Sequence, residues 1–248
     1  MSLAFLEEHR EIWRRKAVLE DVYGVWFDAL LGPLPTGARV VELGAGPGFL
    51  AEHARRLRPD LRWIASDVIP APWNDLAADG LSLPLRAAEV DAVVALDLLH
   101  HLASPALFFQ EAARVLRPGG SLRLVEPWVT WLSYPIYRWL HQEGCRIDLD
   151  PWRPFGVSHS AEKEPFQGDN AGPWLLVRTA PPERWRELGF GPPQVRVFNG
   201  FAYLLSLGFK RGSLLPRRAA RALIAADRLA GPLARGLGMR ALLGWERA

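Results

Sequence analysis

A glycine-rich loop with an acidic residue in front of it is the first feature of this sequence that could do chemistry. Glu42 and Leu43 lead directly into Gly44-Ala45-Gly46-Pro47-Gly48-Phe49. Gly44 and Gly46 can adopt backbone angles that other residues avoid, and their missing side chains let backbone N–H groups approach a ligand closely. Pro47 has no N–H and cannot be one of the donors. When such a loop leads into a helix, it favours a negatively charged group such as a carboxylate.

Two more acidic residues are predicted at the same edge of the fold. Asp67 follows the second predicted strand, at 61–66, and Asp79 follows a third, very short one. The carboxyl ends of parallel strands lie along one rim, and ligands bind in the crevice beside it. We therefore expect Glu42, Asp67 and Asp79 to converge on one site.

The elements that must position these residues alternate between strand and helix. The sequence predicts helices over 3–31, 49–57, 98–116, 182–188 and 216–229, and strands over 39–43, 61–66, 91–96, 121–125, 194–198 and 240–245. This alternation predicts an α/β fold, with a parallel sheet and helices on both of its faces.

Four regions follow from this pattern. Residues 1–36 are expected to form an N-terminal helical lid, 37–126 the ligand-binding half of the domain, 127–180 an inserted cap, and 181–248 the rest of the sheet with a basic amphipathic helix. The cap is predicted from aromatic residues that follow no helical or strand period: Trp128, Trp131, Tyr134, Tyr137, Trp139, Trp152, Phe155, Phe166 and Trp174.

Five ordered motifs resemble the class I S-adenosylmethionine-dependent methyltransferase family, of the methyltransferase type 11 kind. They are Glu42 to Gly48, Ser66-Asp67-Val68, Asp79-Gly80-Leu81-Ser82-Leu83-Pro84-Leu85, Asp91-Ala92-Val93-Val94 through Leu99-His100-His101, and Arg114-Val115-Leu116-Arg117-Pro118-Gly119-Gly120. The resemblance spans residues 39–127. It implies a Rossmann-like fold with a central seven-stranded, mostly parallel sheet. It also implies methyl transfer from S-adenosylmethionine, with S-adenosylhomocysteine as product.

The resemblance also assigns roles to residues of this sequence. Gly44 and Gly46 would border the methionine moiety of the cofactor, and Asp67 would accept hydrogen bonds from the ribose hydroxyls. Asp79 with Leu81 would address the adenine, while Glu42 would orient the loop or meet the cofactor's amino group. The full set of implied cofactor-binding residues is Glu42, Gly44, Ala45, Gly46, Asp67, Val68, Asp79, Gly80, Leu81 and Leu96. The short stretch between Asp67 and Asp79 leaves little room for the family's usual helix, so residues 70–73 are expected to form a wall instead.

Three residues are candidates for acid–base catalysis. A base is needed only if the acceptor is protonated and weakly nucleophilic, as a hydroxyl is. His100 and His101 lie in the predicted helix after the fourth strand, and Glu126 ends the fifth strand on the same rim. Because a Leu-His-His-Leu run is common in the resembled family with varied substrates, at least one of the histidines is expected to be structural.

The acceptor is expected to be a small, hydrophobic or lipid-like molecule bound by the aromatic cap. Arg138, Arg146 and Arg153 suit an anionic group on it. The basic helix over 216–229 predicts peripheral contact with a membrane surface. Mixed charge, with a net charge of only +3, argues against nucleic acid as the acceptor.

The composition limits the disulfides, metal sites and cellular location that we expect for the protein. Cys145 is the only cysteine, which excludes an internal disulfide, and we expect it to be a buried, neutral thiol. No metal site is predicted, because the pair His141 and Cys145 lacks further ligands. The charged N-terminus and the absence of a long apolar run predict a cytoplasmic protein.

Two other functions remain open at this point. A dinucleotide-binding oxidoreductase shares the strand, loop and acidic-residue arrangement, but its fingerprint does not match the spacing of these glycines, and Phe49 follows Gly48. A non-catalytic S-adenosylmethionine-binding or scaffold protein of the same fold is the second alternative. The presence of all the cofactor-facing residues favours an active methyltransferase over both.

Overall fold

The structure of the chain, a computed structural model, describes residues 2–153, 168–198, 200–210, 212–229 and 234–248. Its helices are α1 (Leu3–Arg15), α2 (Val18–Leu31), α3 (Phe49–Leu57), α4 (Pro105–Val115), α5 (Ser133–Trp139), α6 (Gly172–Thr179), α7 (Pro182–Glu187), α8 (Phe201–Ser206), α9 (Arg217–Leu229) and α10 (Ala234–Leu237). Its strands are β1 (Arg39–Leu43), β2 (Arg62–Asp67), β3 (Leu76–Ala77), β4 (Val90–Leu96), β5 (Leu116–Pro127), β6 (Gln194–Phe198) and β7 (Arg240–Glu246).

The strands form one sheet of seven, which confirms the predicted α/β class. Their order is β3-β2-β1-β4-β5-β7-β6, and only β7 runs antiparallel to its neighbours. Leu43 at the end of β1 is in register with Ser66 of β2 and Ala95 of β4. The carboxyl ends of the central strands therefore share one rim, as expected for parallel strands.

Alternation along the strands builds a core on each face of the sheet. Successive residues of a strand point to opposite faces, so Val41 packs in the core under α4 and α7, while Val40 packs in the core under α2 and α3. The first core includes Phe109, Trp185 and Trp245, which make edge-on or tilted ring contacts with one another. Together the two cores give the rim a rigid support.

The predicted helix over 3–31 is wrong as a single element, because it breaks at Lys16 and Ala17. The Lys16 backbone is no longer helical (φ −120°, ψ 71°). Its ammonium donates to the carbonyl oxygens of Gly208 at 2.6 Å and Lys210 at 2.9 Å. Burying this charge requires such partners, so the break joins the N-terminal helices to the segment after α8.

The predicted helix over 98–116 is also divided. Leu99–His101 form one 3-10 turn, and α4 begins only at Pro105. A proline suits the first turn of a helix because its missing N–H has no partner there. His100 and His101 consequently lie in a tight turn at the rim, before the helix to which the sequence assigned them.

The cap region contributes α5 and α6 and a small core of its own. Tyr137, Cys145 and Leu175 are buried together there. Burial raises the pKa of the Cys145 thiol to about 12, as expected for a neutral side chain. Trp131 and Trp139 are 85% and 72% exposed, so the aromatic rings do not form one cluster. The predicted cap residues Phe155 and Phe166 lie outside the described residues.

The basic helix α9 packs on α2 through Ala220 and its partly buried neighbours Leu223 and Ile224. Arg217 and Arg221 both donate to the carboxylate of Asp21 on α2. Two of the arginines that suggested membrane contact are therefore engaged within the protein. Within the described segments, no helix is both long and apolar enough to cross a bilayer.

Replacing Lys16 by methionine tests the link between the N-terminal helices and the segment after α8. We expect Lys16→Met to lower the free energy of unfolding by about 1–3 kcal/mol, because two carbonyl groups lose a charged donor. Chemical denaturation measures this. The matched control is Lys210→Met, since the side chain of Lys210 is exposed. Equal effects of the two substitutions would contradict the role given to Lys16.

Candidate functional site

The glycine loop between β1 and α3 has the backbone that the sequence predicts. Gly44, Gly46 and Gly48 all have positive φ angles, of 66°, 51° and 81°. The loop is tied to β2, because the N–H of Ala45 donates to the carbonyl of Ser66 at 2.9 Å. Phe49 then begins α3, so the loop opens the amino end of a helix, where an anionic group is favoured.

Asp67 closes the loop against the end of β2. One carboxylate oxygen accepts from the N–H of Gly46 at 2.8 Å, and the other from the N–H of Ile69 at 2.8 Å. Burial raises the pKa of Asp67, although these N–H groups oppose the shift. A carboxylate can accept roughly four hydrogen bonds, so Asp67 retains acceptor capacity for a pair of hydroxyl groups.

Trp73, in the segment where the sequence predicts a wall beside the adenine, packs against the glycine loop. Its indole N–H donates to the carbonyl of Gly46 at 2.7 Å. A side chain at Gly48 would place Cβ 2.6 Å from the ring, so the ring lies directly on the loop. Arg10 of α1 stacks on Trp73 at 4.5 Å and donates to the carbonyl of Pro47. The N-terminal helix thus reaches the loop through one arginine.

Asp79 lies past the end of β3 in a turn of its own. Its carboxylate accepts from the N–H of Leu81 at 2.9 Å, and its carbonyl accepts from Ser82 at 3.0 Å. Gly80 and Leu81 border this turn and are partly buried. Asp79 therefore has a structural task in the turn, in addition to the adenine contact predicted for it.

The turn after β4 lies against the glycine loop. Leu98 fills the space beside Gly44, where a Cβ would be 3.0 Å from its Cδ1. Leu98 and Leu99 both donate their N–H groups to one oxygen of Glu126, at 2.9 and 2.7 Å. The other oxygen of Glu126 meets His100 Nδ1 at 2.6 Å. Glu126 thereby fixes both the turn and the ring of His100.

A residue from the cap completes this cluster. The carboxylate of Glu143 lies 3.5 Å from Nε2 of His100 and 3.4 Å from Nε2 of His101. The chain around it is pinned to the start of α6, because the N–H of Asn170 donates to the carbonyl of Gly144 at 2.8 Å. Glu143 is only 8% exposed, so the histidine pair is covered by an acidic group from the cap.

The charged groups in this cluster shift one another's pKa values. Burial lowers the pKa of His100, but the nearby carboxylates of Glu126 and Glu143 outweigh it and raise the pKa to about 9. Burial raises the pKa of Glu143, while the imidazoles of His100 and His101 hold it down at about 2. The cluster therefore holds a buried anion beside a ring that readily carries positive charge.

Comparisons with known proteins identify the central part of the chain. Residues 41–124 match the family model described as a methyltransferase domain. The matched stretch, which contains all five motifs, is therefore a methyltransferase domain.

Relatives and solved structures agree with this family and fold. The chain is 30% identical over 166 residues to the tRNA (carboxymethyluridine(34)-5-O)-methyltransferase ALKBH8 of Mus musculus, covering 60% of this chain and 24% of that protein. It is 28% identical over 109 residues to the ubiquinone biosynthesis O-methyltransferase of Cupriavidus pinatubonensis, covering 38% and 43%. The matches thus span less than half of these curated relatives.

A solved methyltransferase of Haloferax volcanii, in complex with the Trm112 methyltransferase activator, has the same fold. The TM-score is 0.56, with 17% identity, over 99% of this chain and 94% of that one. At this identity the likeness concerns the fold alone. The shared architecture includes the regions on either side of the methyltransferase domain.

In the methyltransferase domain, Glu42 has a different partner from those that the sequence suggests. Its Oε2 accepts from the indole N–H of Trp63 at 2.8 Å. Burial raises the pKa of Glu42 to about 8, and the bond from Trp63 and the charge of Arg55 only partly oppose this. Glu42 is thus buried near the end of β1 and held by a side chain of the neighbouring strand β2.

The remaining predicted residues of the methyltransferase domain line the same rim. Ala45, within the loop, is buried, whereas Val68 is 43% exposed beside Asp67. Leu96 ends β4 in register with Val125 of β5. The sequence prediction omitted Arg10, Trp63 and Glu143, because each meets the site through a contact distant in the chain and none belongs to a motif.

Replacing Glu42 by glutamine tests its raised pKa. Because the pKa in the folded protein, about 8, lies above the ordinary value of 4.5, Glu42 contributes its full stability below pH 4.5 and loses it as the pH rises through 8. Glu42→Gln removes this dependence. Relative to the unmodified protein, the variant should gain stability between pH 5 and pH 8, by at most about 1.4 kcal/mol per pH unit.

Thermal unfolding across this pH range measures the difference between the two proteins. The control is Glu7→Gln, since Glu7 is exposed on α1. A constant difference from pH 5 to pH 8 would show that Glu42 is ionised in the folded protein throughout, contrary to its burial.

Proposed function

We propose that this protein transfers the methyl group of S-adenosylmethionine to a hydroxyl group of a small, hydrophobic or lipid-like molecule. The observation that carries the proposal is the contact between Leu98 and Gly44, which places the turn of His100 and His101 directly beside the glycine loop. The glycine loop, which we propose holds the cofactor, and the histidine turn, which we propose accepts a proton, therefore meet at the rim.

The cofactor is proposed to lie across the carboxyl ends of β1, β2 and β4. The methionine carboxylate would face the start of α3, whose first N–H groups favour an anion. Asp67 has the remaining acceptor capacity that two ribose hydroxyls need, and Val68 and Leu81 offer apolar surface to the adenine. The family to which the methyltransferase domain belongs supports S-adenosylmethionine as the ligand.

Methyl transfer is an in-line displacement. The acceptor oxygen forms a bond to the methyl carbon as the carbon–sulfur bond breaks, and S-adenosylhomocysteine leaves as a neutral thioether. The enzyme must align the two partners and exclude water. A hydroxyl also has to lose its proton, and His101, whose side chain is 22% exposed, is the member of the cluster best placed to reach an acceptor. Glu126 is fully buried and acts as a positioning residue.

The cap supports a hydrophobic acceptor. Trp128 and Trp152 contribute to the main core near the rim, and Trp131 and Trp139 leave apolar surface exposed. One relative is an O-methyltransferase of ubiquinone biosynthesis, which agrees with this acceptor class. Another relative acts on tRNA by its name, so nucleic acid belongs among the acceptors to be tested. Contact of the protein with a membrane surface remains a prediction.

Replacing Asp67 by alanine tests the cofactor site. We expect Asp67→Ala to weaken binding of S-adenosylmethionine at least tenfold, since the ribose hydroxyls and the N–H of Gly46 would lose a charged acceptor worth about 1.5–3 kcal/mol. Calorimetry measures the affinity. The control is Asp60→Ala, because Asp60 pairs with Arg58 away from the rim. Unchanged affinity in Asp67→Ala would exclude the proposed ribose contact.

A second experiment tests activity at the histidine turn. Labelled S-adenosylmethionine is supplied with a panel of phenols, quinols, a lipid extract and bulk tRNA. We expect label in an apolar hydroxyl compound, and we expect His101→Gln to lower its rate by about 100-fold or more with unchanged cofactor affinity. The control is His53→Gln, on the opposite side of the loop on α3.

The outcomes separate the alternatives. Cofactor binding without any labelled product would favour a non-catalytic cofactor-binding protein. Label in tRNA alone would replace the small acceptor by nucleic acid. Equal rates in His101→Gln and the unmodified protein would remove the histidine turn from the mechanism.

A further inference from the structure

Three side chains at the rim have the composition of a metal site. His100, His101 and Glu143 each offer one ligand atom, and these atoms all lie within 4.8 Å of one another. His100 and Glu143 are buried, and His101 is partly exposed. Two of the residues come from the turn after β4 and the third from the cap, so only the folded chain brings them together.

The spacing of these atoms is that of ion pairs, and it also fits ligands of one shared metal ion. The carboxylate of Glu143 is 3.5 Å from Nε2 of His100 and 3.4 Å from Nε2 of His101. A nitrogen–oxygen hydrogen bond is shorter, about 2.7–3.2 Å. Two ligands bound tetrahedrally to Zn²⁺ at 2.0–2.1 Å are separated by roughly 3.3 Å. We propose that His100, His101 and Glu143 bind one Zn²⁺ ion.

The surroundings of His100 have the form that zinc sites require. Its Nδ1 meets the Glu126 carboxylate at 2.6 Å. A carboxylate at this distance accepts the Nδ1 proton, so Zn²⁺ would displace the proton from Nε2, the nitrogen that faces Glu143. Ligand histidines commonly have such a carboxylate partner, which orients the ring and increases its basicity. Glu126 is itself held by the N–H groups of Leu98 and Leu99.

A second group of potential ligands in the described part of the chain is a weaker candidate. Asp97, His100 and Glu126 also lie within reach of one another. However, both oxygens of Glu126 already accept hydrogen bonds, and Asp97 forms an ion pair with Arg240. His141 also faces Glu143, at 3.7 Å, but its Nδ1 meets the amide nitrogen of Asn170 at 3.3 Å. The ligand set is therefore His100, His101 and Glu143.

Two histidines and one glutamate leave one coordination position of Zn²⁺ open. Zinc sites that act in catalysis have this composition, whereas structural zinc sites are closed by four protein ligands. This part of the inference rests on the proposed function. The acceptor oxygen would take the open position, its proton would pass to water, and the resulting oxyanion would attack the methyl carbon. His101 would then serve as a ligand of the ion that activates the acceptor, and water would accept the proton in its place.

Metal binding is measured on tag-free, chelator-treated protein without S-adenosylmethionine. Zn²⁺ is titrated by calorimetry, and Co²⁺ serves as a spectroscopic probe of coordination. We expect one Zn²⁺ per chain and visible absorption of Co²⁺ typical of a four- or five-coordinate site. Glu143→Gln should weaken the Zn²⁺ affinity at least 100-fold, because a ligand charge is lost. Circular dichroism verifies that each variant folds.

Two further variants distinguish coordination from nonspecific binding. Glu126→Gln keeps an oxygen for Leu98 and Leu99, but its amide donates to Nδ1 of His100 and moves the proton to Nε2. We expect it to weaken Zn²⁺ binding about 10–100-fold. His53→Gln, on α3 outside this cluster, is the matched control and should change the affinity less than threefold.

The proposal is overturned if the unmodified protein binds no stoichiometric Zn²⁺, if Glu143→Gln binds it equally well, or if His53→Gln loses it. Cofactor binding and methyl transfer are measured separately. A protein that binds Zn²⁺ but transfers no methyl group would refute the proposed function and leave the metal site standing. Methyl transfer that is unaffected by chelation would remove the ion from the reaction.

Discussion

The site depends on one buried carboxylate. Glu126, at the end of β5, is completely buried and accepts hydrogen bonds from Leu98, Leu99 and His100. An ionised carboxylate without partners in such a place would be very costly, so the turn after β4 must adopt the conformation that supplies these donors. That turn presses Leu98 against the glycine loop and presents the two histidines at the rim. The need to supply hydrogen-bond donors to Glu126 therefore determines how the turn after β4 lies against the glycine loop.

The glycine loop is held by a comparable arrangement at the end of β2. Asp67 accepts from Gly46 and Ile69, and the indole of Trp73 donates to Gly46. Because these bonds already fix the conformation of the loop, the loop loses little conformational entropy when a ligand binds. Arg10 extends the arrangement to the N-terminal helix through its contact with Trp73.

Local patterns made the sheet predictable from the sequence. The bounds of β1 and β6 were predicted correctly, because an apolar run between turn residues determines a buried strand. Two helices were predicted too long, since a period of 3.6 continues through breaks that tertiary contacts create, such as the burial of Lys16. Asp67 could be placed at the rim from its position after β2. Glu143 could not, because no motif surrounds it and its contact with the histidines exists only after the cap has docked.

The cluster of His100, Glu126 and Glu143 at the rim differs from an ordinary ion pair because its carboxylates come from two separate parts of the chain. Two carboxylates, one from the sheet and one from the cap, are buried with the ring of His100 between them. Such groups stabilise a protein poorly compared with apolar residues of similar volume, since each must lose its water. The cap thus places a carboxylate where packing alone would favour an apolar side chain. The cap therefore meets the turn after β4 through the charge of Glu143, in addition to the packing of Trp128 and Trp152 in the main core.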